Sequence, residues 1–429
     1  MKNVDESSVV KTLLRIFLRT GKSRGSGRRT CYYPAFGKRD DLRNHYFRAR
    51  WYLPRVEGVC ESVIFGVPKL ENLPNEDERP REIGSSSGDY SHFRGIASSA
   101  CYAWSLAQAG EILVWDSSCS DSETIAILKR SGKRIWNVDT AEVKGREYAV
   151  YCEMLWWMTP EARRKEIVEE NRERFNDYAL DLKGGGIDRG FVFGNGPSLK
   201  KCIEYRYENS VRVMCNSIVS NDEILDVVRP QFIVAGDPMW HFGCSSYSEA
   251  YRSDLVRQLK SRDMRLVIPE FQGYILSVNL PEVRDRIFLI PLAEKRPNLD
   301  LLSEYRIPLF WSVLNSCMLP IASSFCDKVY LLGCDGKPVD DRKEGFWAHA
   351  SGVQYTGLEA EGHKCHPTFE QHRMAHPEYQ RVMADLSAMI EEGEEGQGKQ
   401  YRTLTASYMA PLFSRLVNLE SSEDNDSNE

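Results

Sequence analysis

The sequence predicts an α/β protein of two Rossmann-like domains, the C-terminal one a doubly wound, mostly parallel sheet. Three observations carry that expectation. The 429 residues exceed what one ordinary core organises. Short apolar runs alternate with stretches of helical period, the pattern of strands joined by crossover helices. A glycine-rich segment, LKGGGIDRG at 182–190, separates an irregular half from a regular one.

Residues 1–42 read as a basic amphipathic segment. In DESSVVKTLLRIFLRTGKSRGSGRR, Val9, Val10, Leu13, Leu14, Phe17 and Leu18 share one helical face, and Lys11, Arg15 and Arg19 recur on the other. Ten Lys/Arg stand against Asp5 and Glu6 up to Arg39. Such a helix can lie on an anionic membrane, so peripheral contact through residues 5–30 is expected. A helix docked on its own domain satisfies the same pattern.

Residues 43–185 form the expected N-terminal α/β domain, on the acceptor side. Strands are predicted at 62–67, 111–118 and 133–138, with helices at Ser91–Ala109, Asp121–Ser131 and Pro160–Tyr178. Residues 186–415 form the second, nucleotide-sugar-binding domain. Its strands are predicted at 191–194, 211–215, 231–236, 265–269, 286–291, 328–333 and 400–405, with helices at Tyr247–Arg262, Trp311–Phe325 and Pro377–Glu392. Residues 416–429 are an acidic tail expected to be disordered.

Composition narrows the function. A net charge of −6 argues against a nucleic-acid partner. The 12 cysteines are scattered without a CxxC pair, and no secretory signal is evident, so reduced thiols in a cytoplasmic protein are expected, at the inner face of the membrane if the helix binds there. No apolar run approaches the ~20 residues needed to span a bilayer.

In doubly wound sheets ligands bind beyond the carboxyl ends of the strands. Here those ends read Gly194-Asn195-Gly196-Pro197-Ser198, Asn216-Ser217, Asp237-Pro238 and Cys334-Asp335-Gly336. Glycines allow close backbone approach, and the two asparagines offer an amide donor and acceptor without a charge to desolvate. The collection suits a nucleotide. It is neither a dinucleotide fingerprint nor a Walker loop.

GNGPSLK, then CNSI, AGDP, and NSCMLPIASSF leading into DKVYLLGCDG, resemble in that order the bacterial sialyltransferases of glycosyltransferase family 42. The related motility accessory factors and archaeal 6-hydroxymethylpterin diphosphokinases share this outline. The resemblance covers about residues 190–415. It implies that Asn195 and Asn216 contact a CMP donor, and that Asn315 and Ser316 stand at its donor-binding helix start, with Cys317 where the family has glycine. It nominates Tyr355 for the donor phosphate, with His349 or Trp347 as substitutes. It also nominates His376, before a helix leading to the last strand, as catalytic base.

The chemistry can be argued independently. Transfer from a CMP-sugar needs a base for the acceptor hydroxyl and stabilisation of the leaving phosphate. No DxD signature is present, and the donor is already activated, so no metal cofactor is expected. Histidine suits the base. Five of the 8 histidines lie between His349 and His376. His376 is the first choice and His366 the reserve. A metal cluster of His363, Cys365, His366 and His372 matches no standard zinc spacing. Asp237 is expected to orient a substrate, or to attack the anomeric carbon in a retaining enzyme. As a helix cap it would need neither role.

The expected function is therefore transfer of a sialic-acid-like or Kdo-like sugar from a CMP donor to a glycan or glycolipid. The cleft is expected to use Gly194, Asn195, Gly196, Ser198, Asn216, Asn315, Ser316, Asp335 and Tyr355 for the donor, and His376 and Asp237 for catalysis. The alternatives are an ATP- and Mg²⁺-dependent phosphotransferase using Asp237, Asp335, Asp340 and Asp341, or an inactive nucleotide-binding homologue.

Overall fold

The computed structural model describes residues 6–19, 28–67, 72–120, 122–337, 348–374 and 378–419. It contains two wholly parallel sheets with helices on their faces. The first is built from β1 (Arg29–Tyr33), β2 (Ser62–Gly66), β3 (Phe93–Ile96), β4 (Glu111–Val114) and β5 (Arg134–Asn137), in spatial order β3-β2-β1-β4-β5. Around it lie α1 (Glu6–Arg19), α2 (Arg39–Tyr52), α3 (Ser99–Gln108), α4 (Glu123–Arg130) and α5 (Glu147–Met158). A long helix, α6 (Glu161–Gly184), leads to the second sheet.

The second sheet comprises β6 (Arg189–Phe193), β7 (Ser210–Cys215), β8 (Phe232–Val234), β9 (Arg265–Pro269), β10 (Ile287–Ile290), β11 (Lys328–Leu332) and β12 (Gln400–Thr403). Its order is β10-β9-β8-β7-β6-β11-β12. The helices are α7 (Asp222–Val228), α8 (Ser246–Ser261), α9 (Glu270–Asn279), α10 (Leu319–Phe325), α11 (Glu359–Cys365), α12 (Thr368–Met374) and α13 (Glu378–Glu391). Each strand predicted for this sheet is present.

Period-two alternation assigns the strand residues to layers. Phe191 and Phe193 face a core shared with Tyr32, Phe65, α2, α5, α8 and α9, between the two sheets. Val192 faces the opposite core with α6, α10 and α13. Cys31 and Tyr33 face a third core, under α1, α3 and α4.

Four elements depart from the sequence expectation, for physical reasons. β1 is the central strand of the first sheet, although its RTCYY run follows a basic stretch and reads as part of that segment. β3 occupies part of the span predicted as a helix from Ser91, and α3 begins only at Ser99, capped by the Ser98 hydroxyl. α2 buries His45 and Arg48 along with its aromatic side chains, so its inner face does not read as apolar. α5 is buried almost all round and shows no amphipathic period.

The N-terminal helix is docked. Val10 and Leu14 are buried against the layer containing α3, Phe17 packs edge-on to Trp104 at 5.1 Å, and Lys11 and Arg15 pair with Glu123. The apolar face on which membrane contact was expected is therefore covered by the chain itself. Among the described residues no helix is long and apolar enough to cross a membrane.

Candidate functional site

The strand order of the second sheet reverses direction between β6 and β11. The chain leaves β6 toward β7 on one side and returns to β11 on the other. Such a switch point opens a crevice beyond the carboxyl ends. An open cleft of about 120 Å³ lies there, small beside the ~300–1,000 Å³ of sites that enclose a whole ligand. Its floor is Gly194–Gly196 after β6, Cys215 and Asn216 after β7, and Gly333–Gly336 after β11. Its walls are Ser312–Leu314, Met318, Val382 of α13 and Met409, with Ala348 and His349 also lining it.

The floor is built by backbone contact. Gly194 N–H donates to Leu332 O (2.9 Å) and Gly196 N–H to Gly333 O (2.8 Å), so the two loops continue the pairing of β6 with β11. Gly333 has φ +73°, and a Cβ there would sit 2.2 Å from the Gly194 carbonyl oxygen. A Cβ on Gly196 would sit 2.1 Å from Asp335 Oδ2. The glycines thus let two loops touch, a requirement that exists with or without a ligand.

Asn195 and Asn216 supply the distinctive chemistry. Asn195 is 8% exposed, and its Nδ2 donates to Cys215 O (3.2 Å). Its own carbonyl accepts from Ala350 N–H (2.8 Å), which ties the His349 segment to the cleft. Asn216 adopts φ +56°, a left-handed conformation that asparagine tolerates better than most residues. The side-chain oxygens of both are buried without a hydrogen-bond partner among the described residues. A buried unsatisfied acceptor costs about 1–3 kcal/mol, so each of these oxygens has a use for a donor at the cleft; Asn315 Oδ1, behind the wall, is in the same state.

Other nominated residues are placed differently. Asp335 lines the cleft, but its Oδ2 accepts from Ser198 N–H (3.0 Å), capping the turn that follows Gly196. Ser198 is turned to Thr405, with its hydroxyl donating to Thr405 Oγ1 (2.9 Å). Asn315 is fully buried behind the wall, where its Nδ2 donates to Trp311 O and Val382 O and binds α13 to a π-turn at Leu314–Met318. Ser316 Oγ donates to Ser312 O (2.9 Å) within that turn. Cys317 is buried in the core rather than presented to the cleft. The wall is formed one turn earlier, by Ser312 (φ +72°) and Val313, which sequence reasoning missed for want of a motif.

Asp237 and Tyr355 do not line the cleft. Asp237 Oδ1 accepts from Met239 N–H (2.9 Å) and Trp240 N–H (3.3 Å), which holds the turn there. Tyr355 donates to Asp254 Oδ2 (2.9 Å) and packs edge-on to Tyr247, with burial and then Asp254 raising its pKa. His366 is completely buried, 2.8 Å from Glu147, outside the cleft. His376, Trp347, Asp340 and Asp341 lie outside the described residues, whereas His349 is exposed at the cleft. The two cleft thiols are kept neutral by burial: Cys334 is pushed up to about 12, and Cys215 higher still.

No protein-family model and no curated protein matches the chain. Two solved structures are similar to it, both of variants of the sialyltransferase CST-II in complex with CMP. Each is 13% identical and covers 54% of this chain and 87% or 88% of its own, with TM-scores of 0.32 and 0.31. Likeness at that level carries no argument about the site.

Proposed function

We propose that the cleft binds the nucleotide of a CMP-sugar, and that the chain is a glycosyltransferase moving a sialic-acid-like or Kdo-like sugar to a glycan or glycolipid. One observation carries this reading: two buried amide oxygens, on Asn195 and Asn216, without a partner among the described residues, at the floor of an open switch-point cleft. They suit a ligand with amine or hydroxyl donors, as a nucleoside has. Asn195 and Asn216 are the proposed donor contacts, with the Gly194–Gly196 and Gly333–Gly336 loops beneath.

The proposed base is a histidine. His376 stands two residues before α13, the helix that brings Val382 to the cleft, and His349 lines the cleft itself. A peripheral membrane contact would have to use the basic face of α1 and exposed Ile16, because Val10 and Leu14 are already packed. The magnesium phosphotransferase reading needs clustered carboxylates. Among the described residues only Asp335 meets the cleft, and it is engaged as a cap.

Calorimetric titration with CMP and with ATP, each with and without Mg²⁺, tests the proposal. Binding of CMP without metal, followed by turnover of a CMP-sugar, is the expected result. Binding of ATP only, and only with Mg²⁺, would replace it with the phosphotransferase.

A further inference from the structure

Apart from the cleft, the structure brings together three soft metal ligands. Cys244 lies in the turn before α8, and Cys365 and His366 at the end of α11. They are 1%, 0% and 0% exposed. A ligand atom from each lies within 4.8 Å of the other two. The two sulfurs are 3.7 Å apart. Two thiolates bound at ~2.3 Å to one tetrahedral zinc ion are separated by about 3.8 Å. Both cysteines are free thiols.

The surroundings complete a metal environment. Glu147 Oε1 is 2.8 Å from His366 Nδ1, and Thr368 donates to Glu147 Oε2 (2.9 Å). A carboxylate accepting from Nδ1–H leaves the lone pair on Nε2, the arrangement that supports metal-bound histidines. His366 Nε2 is buried and, the neighbouring Cys244 thiol apart, has no hydrogen-bond partner among the described residues. Arg48, also buried, lies 4.0 Å from Cys244 Sγ and donates to the Cys365 carbonyl. With two thiolates, one divalent ion, Glu147 and Arg48, the formal charge sums to zero, as a buried site requires.

We propose that Cys244, Cys365 and His366 hold a buried zinc ion as its three protein ligands. On binding, each thiol loses its proton to solvent and a sulfur–zinc bond takes its place. The ion joins the turn before α8 to the end of α11, beside Arg48 of α2 and Glu147 of α5. All three ligands follow β8, and the layer of the first sheet is tied to them through the Glu147 bond to His366 and the Arg48 bond to Cys365 O. Cys365 and His366 belonged to the cluster considered from sequence. His363 instead lies at the surface near Glu370, and Cys244, 121 residues before Cys365, falls outside any local spacing pattern.

The full chain, purified without chelators, is expected to contain about one zinc per molecule by elemental analysis. After removal of the metal it should bind one cobalt(II) with a thiolate-to-cobalt charge-transfer band. The double variant Cys244→Ser/Cys365→Ser should lose both. Glu147→Gln should weaken zinc binding about 10- to 100-fold while keeping the band. His363→Ala/His372→Ala should bind normally. Should the cysteine variant not fold, the wild-type stoichiometry and cobalt spectrum decide alone. Folded wild-type protein that binds no stoichiometric zinc, binds it without the thiolate band, or loads copper(I) in its place overturns the proposal.

Discussion

The two sheets share parallel topology and a switch point, yet their switch points are lined by different chemistry. In the first sheet the order reverses between β1 and β4, where Trp115 follows β4. Its indole donates to Pro34 O (2.6 Å) and stacks on Phe36 at 4.6 Å, with His45 tilted against both. In the second, glycine, asparagine and aspartate follow the strands, and a cleft stays open. Topology makes the crevice in both. The residues just beyond the strands decide what fills it: at the first switch point the Trp115 cluster, with a polar pocket by Asp40, His45 and Thr140 beside it, and at the second only small polar groups.

The largest effect should come from closing the open edge. Gly333→Ala places a Cβ against the Gly194 carbonyl in a left-handed conformation, and should cost about 3 kcal/mol or more in chemical denaturation, or prevent folding. Unaltered stability would mean that the two loops do not touch.

Acid should come next, and it acts near both edges. Burial, with Arg48 beside it, lowers the pKa of His45 to about 3, and burial lowers His241 likewise to about 3. The unfolded chain takes up these protons near pH 6.5. Their contribution is therefore complete above that pH and is lost as pH falls from 6.5 toward 3, by a few kcal/mol in all. Melting curves at pH 7 and 4.5 should show the loss, and His45→Gln should shrink it.

Opening the filled edge should be milder. Trp115→Ala removes a half-buried ring and should cost about 2 kcal/mol, without creating affinity for CMP. If the variant bound CMP as the second sheet is proposed to, strand-end chemistry would matter less than argued. Asn195→Ala inverts that pattern. It deletes a bond to Cys215 together with an unpaired buried oxygen, so stability should move by less than about 1 kcal/mol, while CMP affinity falls roughly tenfold. The smallest effect should be Glu123→Ala, which frees Lys11 and Arg15 at the surface for under about 1 kcal/mol.

The same contrast explains what could be read from sequence. β6 to β12 were legible because buried parallel strands are continuous apolar runs between clear crossover helices. The polar residues after them, Asn195 and Asn216 included, were legible as exceptions to that regularity. Asn315, Ser316 and Tyr355 were nominated by motif position, but a motif does not state which way a side chain turns. Two of the three tie a π-turn together, and the third pairs with Asp254. Asp237 shows the reverse: its carboxylate holds the turn at Met239 and Trp240, and the next helix, α8, is capped by Ser245 instead. The Cys244–Cys365–His366 cluster left no local signature, because its parts meet only through tertiary folding.

The long helix α6 has a consequence for dividing the chain. Phe175 packs edge-on to Phe288 at 5.5 Å, and the Asn171 amide oxygen accepts from Leu289 N–H (2.9 Å), so α6 roofs the outer face of the second sheet from the N-terminal side of the glycine segment. A fragment cut at residue 186 would bare Phe232 and Phe288 to water and should aggregate. One beginning near Pro160 would keep that roof but still lose α2 and α5 from the core around Phe191 and Phe193, so only the whole chain covers both faces of the second sheet.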